Sequence, residues 1–286
     1  MAGARKLTAS GRDRGRPLAE FLAERLGLER AAAAALVRAG AVYVGRSRVE
    51  EPERALDAGD RVAVHEAEAM EEAEAMEEAA LSIAYRDRDV LVVDKPAGVP
   101  TQATRSSARG ALDRMVSEME AGARLLHRLD RDASGLVLFT LTQESHRRFA
   151  ALLRDGRIER RYAAVAGGHL RDDAGCIDRP IGPDPRDRRR MAAGQGRPAR
   201  THYTVRRRGF DSGGAPTTLL DLDLETGRTH QIRVHLASAG HPLIGDRIYG
   251  PAPVSERLCL HARRLAWPDA APVVSPEPGS FEALTR

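Results

Sequence analysis

The sequence predicts an α+β fold: a mixed, mainly antiparallel sheet with flanking helices, preceded by a small N-terminal α/β module. Three observations predict it. Candidate strands occur in close pairs with no helical crossover between them, as within 81–94 and 201–224, which favours antiparallel pairing. Two short helical patterns and a hairpin pattern fill residues 17–65. No glycine-rich phosphate loop follows any strand, so we expect neither a doubly wound fold nor a nucleotide cofactor.

The first 80 residues are expected to form three parts. Residues 1–16 lack apolar periodicity and predict a flexible tail. Residues 17–65 predict a compact module, with helices following Pro17 and over 29–39 and strands at 41–44 and 60–64. Residues 66–80 hold seven Glu, no basic residue and the hexapeptide AEAMEE written twice, which indicates an acidic linker.

Residues 81–286 are expected to form the main domain. Apolar runs bounded by turn residues predict six strands, at 81–85, 90–94, 135–141, 160–166, 201–207 and 217–224. Apolar residues at helical spacing predict three helices, at 111–120, 144–154 and 229–239. Thr229 is the expected N-cap of the last helix.

Composition and charge limit the classes of function that the chain can have. The net charge of the whole chain is +4, because the negative charge of the acidic linker offsets part of the positive charge. Residues 81–286 alone carry a net charge of +8, which favours a polyanionic partner. The chain has 43 Arg and only two Lys, a bias that a GC-rich genome also produces, so charge alone leaves nucleic-acid binding open. No apolar run is long enough to span a membrane, no secretory signal begins the chain, and the two Cys have no metal-site spacing. We therefore expect a cytoplasmic protein with no membrane partner.

The segment HRLDRDASG, residues 127–135, is the first candidate for chemistry. Charged residues crowd this stretch, which leads directly into an apolar strand, a place where a rigid scaffold presents catalytic groups. Asp130 follows Leu129, so we expect a partly buried carboxylate that needs a cation. A structural Arg–Asp turn explains the same residues.

The segment from Glu225 to Asp246 is the second candidate. Arg233 lies one turn into the predicted helix and can reach a carboxylate from another segment. His230 and His235 are five residues apart, not the four of a metalloprotease pair, and no acid lies within the helix. A polar role that faces RNA or a carboxylate is therefore favoured over a metal site.

Three further features stand out. Lys95, in VVDKPAGVP, is notable in a chain that otherwise avoids Lys, and Tyr162 occurs in a strand among Ala and Val. Tyr162 is either a core residue or a face on which a base stacks. Between residues 186 and 208 there are nine Arg and one acid, and Gly194, Gly196 and Pro198 predict that the first half of this stretch is a loop, either phosphate-tracking or solvated.

These segments together resemble the RluA-type family of pseudouridine synthases. The resemblance covers about residues 81–270 and rests on motifs that occur in the family's order: DKPAG, HRLDRDASGLVLF, RRYAAV, TGRTHQIRVHL and HPLIGD. The N-terminal module resembles the small αL-type RNA-binding domain of the same family, although residues 31–35 of its second helix are all Ala rather than basic.

The resemblance implies an RNA isomerase with the pseudouridine synthase catalytic fold, acting on ribosomal large-subunit RNA or on tRNA as a monomer without cofactor or metal. It implies that Asp130 is the catalytic carboxylate, that Arg233 pairs with it, and that Tyr162 stacks on the uracil and helps to remove the C5 proton. It also implies contacts with the RNA from five other residues: Lys95, Arg128, which fills the gap left by the flipped base, His230, Gln231 and Ile232.

Two alternatives stay open at this point. One is an inactive RNA-binding protein with the same fold. The other is a metal-dependent RNA hydrolase that uses His127, His230 and His235.

Overall fold

A computed structural model of the chain describes residues 5–38, 41–45, 47–64, 81–103, 110–187, 190–251, 255 and 257–286. The chain divides into two compact units, one formed by Met1–Ala80 with Val99–Met119 and the other by Leu81–Gly98 with Glu120–Arg286. The predicted acidic linker lies outside the described residues. The domain boundaries predicted from the sequence remain a prediction.

The first unit contains an antiparallel four-stranded sheet and two short helices. Its strands follow the order β1 (Arg5–Thr8), β4 (Arg61–Val64), β2 (Val42–Val44) and β3 (Ser47–Val49). Helices α1 (Leu18–Leu26) and α2 (Arg30–Arg38) bury their apolar faces with this sheet in one cluster that includes Phe21, Leu22, Val42 and Val62. Gly27 ends α1, with a φ of 71° that glycine adopts without strain. Helix α3 (Leu112–Met119) also belongs to this unit.

The flexible tail predicted for residues 1–16 is wrong for residues 5–8, which form strand β1. This strand pairs with β4 along its whole length, and Leu7 packs against the core of the unit. Four residues with one apolar side chain are too short a pattern to reveal a strand, because the partner strand lies more than 50 residues away.

The second unit is built on one large sheet. The strands are β5 (Ser82–Arg86), β6 (Val90–Lys95), β7 (Arg124–Leu125), β8 (Ser134–Thr140), β9 (Glu159–Gly167), β10 (Ala174–Asp178), β13 (Arg200–Phe210), β14 (Pro216–Leu224), β15 (Leu260–Ala266) and β16 (Val273–Val274). The main path of the sheet runs β10-β13-β14-β9-β15-β8-β6-β5, while β7 pairs with β8 and β16 pairs with β15. Every described pairing in this sheet is antiparallel except that of β15 with β8, so the α+β prediction with a mainly antiparallel sheet is confirmed.

The remaining elements of this unit are short. Strands β11 (Ile181–Pro183) and β12 (Met191–Ala193) form a separate hairpin. The helices are α4 (Gln143–Arg154), α5 (Gln231–Ser238) and α6 (Ser280–Ala283). The predicted start of α5 at Thr229 is wrong, because His230 occupies the N-cap in a left-handed conformation with a φ of 56°. No helix among the described residues is long and apolar enough to cross a membrane.

Strand β8 is the centre of the core and leads out of the HRLDRDASG loop. All seven of its residues are buried, and Leu136 and Leu138 pack in a cluster with Phe149 and Trp267. A strand held on both faces gives the loop before it a fixed base.

Gly135 shows how closely the sheet is packed at this base. Its φ is 108°, and a Cβ on this residue would lie 2.3 Å from the carbonyl oxygen of Ala262 on β15. We expect Gly135→Ala to lower the free energy of unfolding by roughly 3 kcal/mol or more, because it combines strain with a backbone clash. Urea unfolding measures this. The matched control is Gly156→Ala, with a φ of 70° and nothing within 4 Å of the added Cβ, which should lose only about 1–2 kcal/mol. Equal losses in the two variants would show that the close approach to β15 has no cost.

Candidate active site

The loop that carries Asp130 is fixed to the end of β6. Lys95 Nζ donates to the carbonyl oxygens of Pro96 (2.8 Å) and Arg131 (2.9 Å). Arg131 Nε donates to the Gly98 carbonyl oxygen, and the Gly98 N–H donates back to the Arg131 carbonyl oxygen, both at 2.9 Å. These hydrogen bonds thus hold together the motifs around Lys95 and Asp130, which are separate in sequence.

The prediction that Lys95 binds RNA is not supported, because this side chain is fully buried beneath the loop. Burial lowers the pKa of Lys95 to about 7, while the charges of Asp132 and Asp130 act in the opposite direction. Its role in the structure is to hold the backbone of the loop.

The buried Lys95 predicts a pH dependence of stability. Its pKa is about 7 in the folded protein, against an ordinary value of 10.5, so between these limits the unfolded chain binds a proton that the folded chain does not. The free energy of unfolding should therefore rise with pH from 7 toward 10, by up to about 1.4 kcal/mol per unit. Urea unfolding at pH 7.5 and 9 measures this slope. Lys95→Met should remove this contribution and Lys6→Met, on an exposed residue, should not; an unchanged slope in Lys95→Met would disprove the assignment.

Arg233 connects the loop carboxylate to a second, buried carboxylate. Its Nη1 donates to Asp130 Oδ2 at 3.1 Å, and its Nε and Nη2 donate to the two oxygens of Asp246, both at 2.8 Å. Asp246 also accepts the N–H groups of Ile248 and Tyr249. Burial alone would lower the pKa of Arg233, but the hydrogen bond to Asp246 and the charge of Asp130 raise it above its ordinary value. The two hydrogen bonds to Asp246 therefore fix the plane of the Arg233 guanidinium, and in this orientation Nη1 reaches Asp130.

Burial would raise the pKa of Asp246, but the hydrogen bond and charge of Arg233 lower it. The sequence missed this residue as part of the site. The signal in the sequence is its place as the one acid of HPLIGD, a motif that the chain shares with the family it resembles.

His230 lies next to Asp130 and is oriented by Tyr249, which the sequence also missed. His230 Nε2 is 3.9 Å from Asp130 Oδ1, and His230 Nδ1 shares a hydrogen bond of 2.8 Å with the Tyr249 hydroxyl. The same hydroxyl accepts the Met191 N–H, and the Tyr249 ring lies 5.3 Å from the Arg233 guanidinium carbon. Burial lowers the pKa of His230, although the charge of Asp130 opposes this. A neutral imidazole is thus presented at the Asp130 carboxylate.

Gln231 and Ile232 line the pocket but are buried by the protein. The Gln231 amide donates to the Arg200 carbonyl and to Thr201 Oγ1, and its oxygen accepts from Thr226 and from the Arg228 N–H. All of its polar atoms are used in this way, so the structure gives Gln231 a role in shaping the loop before α5 rather than the predicted contact with RNA.

The three histidines of the metal hypothesis do not form a common site. Both ring nitrogens of His235 are occupied, by Thr201 Oγ1 and by the Arg179 carbonyl oxygen, each at 2.9 Å. His127 Nε2 accepts the Leu138 N–H. Among the described residues no group of three or more His, Cys, Asp or Glu is arranged to hold a metal ion.

Asp130, Tyr162 and Arg233 lie around one pocket of about 580 Å³, a size common for ligand sites. Tyr162 is buried in its wall, and burial is the main cause that raises the pKa of its phenol. Arg128 is exposed at the mouth, together with Arg154 and Arg197. The pocket therefore joins a half-buried carboxylate, Asp130, with the buried Tyr162 and Arg233, and three of its exposed lining residues are arginines.

In the arginine-rich stretch of residues 186–208, the strand predicted at 201–207 is present as part of β13, and the short strand β12 interrupts the loop predicted for the first half. Three of its arginines lie on β13 and form ion pairs with acids brought by other elements: Arg200 with Asp178 and Glu225, Arg206 with Asp221 and Glu277, and Arg208 with Asp173. These acids are distant in sequence, so counting charges along the chain missed them. Among the described residues of the stretch, Arg197 lines the pocket.

A carboxylate held by an arginine in a pocket lined by further arginines suits an enzyme that acts on a polyanion, and comparison with known proteins identifies its class. Residues 89–238 match the RNA pseudouridylate synthase family, and residues 16–62 match the S4 domain. The chain belongs to the RNA pseudouridylate synthase family and is an isomerase that converts uridine in RNA to pseudouridine.

Three relatives illustrate the match. An uncharacterized RNA pseudouridine synthase of Mycobacterium bovis is 33% identical over 283 residues, which cover 91% of this chain and 90% of that protein. Ribosomal large subunit pseudouridine synthase D of Nitrosomonas europaea is 40% identical over 195 residues, which cover 65% of this chain and 52% of that protein. The solved structure of human RNA Pseudouridylate Synthase Domain Containing 1 is 29% identical, with a TM-score of 0.63, and the match covers 72% of this chain and 87% of that chain.

Proposed function

We propose that this enzyme isomerises a uridine of ribosomal large-subunit RNA and that Asp130, Arg233 and Tyr162 form its catalytic set. The observation that carries the catalytic part is the ion pair of Asp130 with Arg233, whose guanidinium is itself fixed by the buried Asp246. Such a chain of contacts holds one carboxylate in a fixed orientation at the pocket.

The reaction needs one carboxylate. The C1′–N1 bond breaks with its electron pair going to the base, the base rotates, and C5 bonds to C1′ and then loses its proton while N1 gains one. Asp130 acts on the sugar, either by attack on C1′ or by taking the neighbouring ribose proton. The leaving base is also the incoming nucleophile, so the second carboxylate of a glycosidase has no counterpart here.

The two parts of the chain suggest how RNA is held. The exposed arginines at the mouth of the pocket suit phosphates beside a base that has left its stack, and among them Arg128 adjoins the catalytic loop. The S4 match of residues 16–62 supports a second contact with structured RNA. A large-subunit ribosomal substrate is supported by the name of the relative from Nitrosomonas europaea, and tRNA is the second candidate.

The proposal includes a monomeric, cytoplasmic enzyme that works without a cofactor. Cys176 and Cys259 are both free thiols, as is usual in a reducing compartment. Sedimentation of the purified protein measures the oligomeric state.

Mapping pseudouridines at single-nucleotide resolution tests the substrate. Large-subunit RNA from cells that lack the protein should lose one or more specific pseudouridines, which the wild-type gene restores and the Asp130→Asn gene does not. Large-subunit RNA that keeps every pseudouridine, while a tRNA position is lost, would disprove the ribosomal substrate and leave the catalytic set in place.

The role of Tyr162 gives a pH prediction. If its hydroxyl takes the C5 proton, it acts in the deprotonated form, and because burial raises its pKa above 10 that form is scarce at neutral pH. With proton removal limiting, kcat should rise as the pH rises from 7 to 9.5. Tyr162→Phe keeps a ring for stacking but should lose this rise and lower kcat by about a hundredfold at pH 9. Release of tritium from RNA labelled at uridine C5 gives the rates; a Phe variant with the wild-type pH profile would limit Tyr162 to stacking.

A further inference from the structure

Two side chains of the pocket are buried with hydrogen-bond donors that nothing in the described protein accepts. They are His127, the first residue of the HRLDRDASG loop, and Arg160, on β9 two residues from Tyr162. Each is only 9% exposed. Buried polar groups are almost always satisfied, so such a pair at one pocket calls for a ligand that completes it.

His127 presents one N–H donor. Its Nε2 accepts the Leu138 N–H at 3.3 Å, so the proton of the neutral ring is on Nδ1. Nδ1 is buried and has no partner among the described residues. Burial, with help from the charge of Arg160, lowers the pKa of His127 to about 3, so the ring stays neutral and this tautomer persists at physiological pH.

Arg160 presents a cation. It alternates along β9 with the exposed Arg161, so Arg160 and Tyr162 point to the same buried side of the strand. No carboxylate of the described residues forms an ion pair with Arg160, and its buried Nε has no acceptor. A Cβ on Gly227 would lie 2.9 Å from Arg160 Nη1, so the guanidinium packs tightly against the loop before α5. Arg161, by contrast, pairs with Glu159 at the surface.

The depth of these two donors in the pocket determines which part of the RNA they can contact. Exposed arginines line the mouth of the pocket, where the phosphates of the backbone stay in water. Arg160 and His127 share the buried part of the pocket with Tyr162 and Asp130, where the flipped uridine must enter. The part of a uridine that accepts hydrogen bonds and gains negative charge there is a carbonyl oxygen of the base.

We propose that Arg160 and His127 bind a carbonyl oxygen of the target uracil and stabilise the negative charge that the base carries while it is detached from the ribose. This rests on the proposed function. When the C1′–N1 bond breaks, its electron pair spreads over N1 and the two carbonyl oxygens. Fixed hydrogen-bond donors in a site that excludes water bind the charged, detached base more strongly than they bind the neutral base of the substrate. They therefore lower the barrier to breaking the C1′–N1 bond. The charge leaves the oxygen again when C5 donates the pair to C1′.

The first test is Arg160→Met, which keeps the length and apolar body of the side chain and removes its donors. With a transcript of large-subunit ribosomal RNA as substrate, we expect kcat to fall about a hundredfold while Kd for the RNA stays within about threefold and the melting temperature does not fall. Arg160→Lys restores the charge without the planar donor group and should recover part of the loss. Arg161→Met, on the exposed face of the same strand, is the matched control and should have the wild-type kcat.

A second substrate separates charge stabilisation from a structural role. Fluorine at C5 of uridine withdraws electrons and makes the departing uracil anion more stable, so the rate should depend less on Arg160. The ratio of wild-type to Arg160→Met rates, followed as loss of the N-linked nucleoside, should be at least about fivefold smaller on 5-fluorouridine RNA. An equal ratio on both RNAs would overturn the proposal.

Other outcomes are equally decisive. A large rise in Kd with a shallower salt dependence of binding would show that Arg160 holds a phosphate instead. An unchanged kcat would show that the donors serve only the fold. If Arg160→Met fails to fold, Arg160→Lys carries the same comparison of the two RNAs. Failure of the proposed function itself is distinct, because then the wild-type protein would form no pseudouridine in the transcript of large-subunit ribosomal RNA.

Discussion

Replacing Asp130 with Asn is expected to leave no detectable turnover while RNA affinity stays within about threefold of the wild type, because affinity rests mainly on phosphate contacts. The amide keeps the size of the carboxylate and an oxygen that accepts from Arg233 Nη1. It carries no charge, so it neither attacks C1′ nor takes a ribose proton. Arg233 keeps its two hydrogen bonds to Asp246 in this variant, so the structure around these two residues should be retained.

The experiment measures tritium release from RNA labelled at uridine C5, together with Kd from filter binding. Asp132→Asn is the matched control, since Asp132 is an exposed acid of the same loop, and it should retain near-normal turnover. Product formation by Asp130→Asn at even a few per cent of the wild-type rate would mean that another group performs the chemistry.

The long patterns of the sequence predicted most of the fold. Strands β6, β8, β9 and β14 lie within one or two residues of their predicted ends, because their apolar runs are bounded by turns. Strands β10, β11 and β12 were missed because they have only five, three and three residues, too few for a local period to mark them. Strand β15 was missed because arginines interrupt its apolar residues.

The sequence also predicted only part of the candidate site, because contacts between residues distant in sequence leave no local pattern. The contact of Asp130 with Arg233, 103 residues apart, was expected from the motifs and is present in the structure. Asp246 and Tyr249 were missed because their roles depend on which guanidinium and which imidazole they meet in space. The scarcity of Lys indicated that Lys95 matters, but not that it would be buried beneath the loop.

Arg233 offers the other large effect, because its removal leaves two carboxylates without their shared cation. We expect Arg233→Met to lower kcat by at least about a thousandfold, since Asp130 loses its orientation and Asp246 becomes an unpaired buried charge. Breaking such a pair also costs about 3–5 kcal/mol of unfolding free energy. Activity and stability should therefore fall together in this variant.

A double variant separates the two losses. Asn at position 246 carries no charge but keeps an oxygen for the Ile248 and Tyr249 N–H groups. Arg233→Met with Asp246→Asn should therefore recover most of the unfolding free energy and none of the turnover. Arg233→Lys keeps a cation near both acids but loses the planar geometry, and should fold with kcat lowered at least about tenfold. Recovery of turnover in the double variant would show that Arg233 stabilises the fold without acting on Asp130, because the only defect repaired there is the unpaired charge of Asp246.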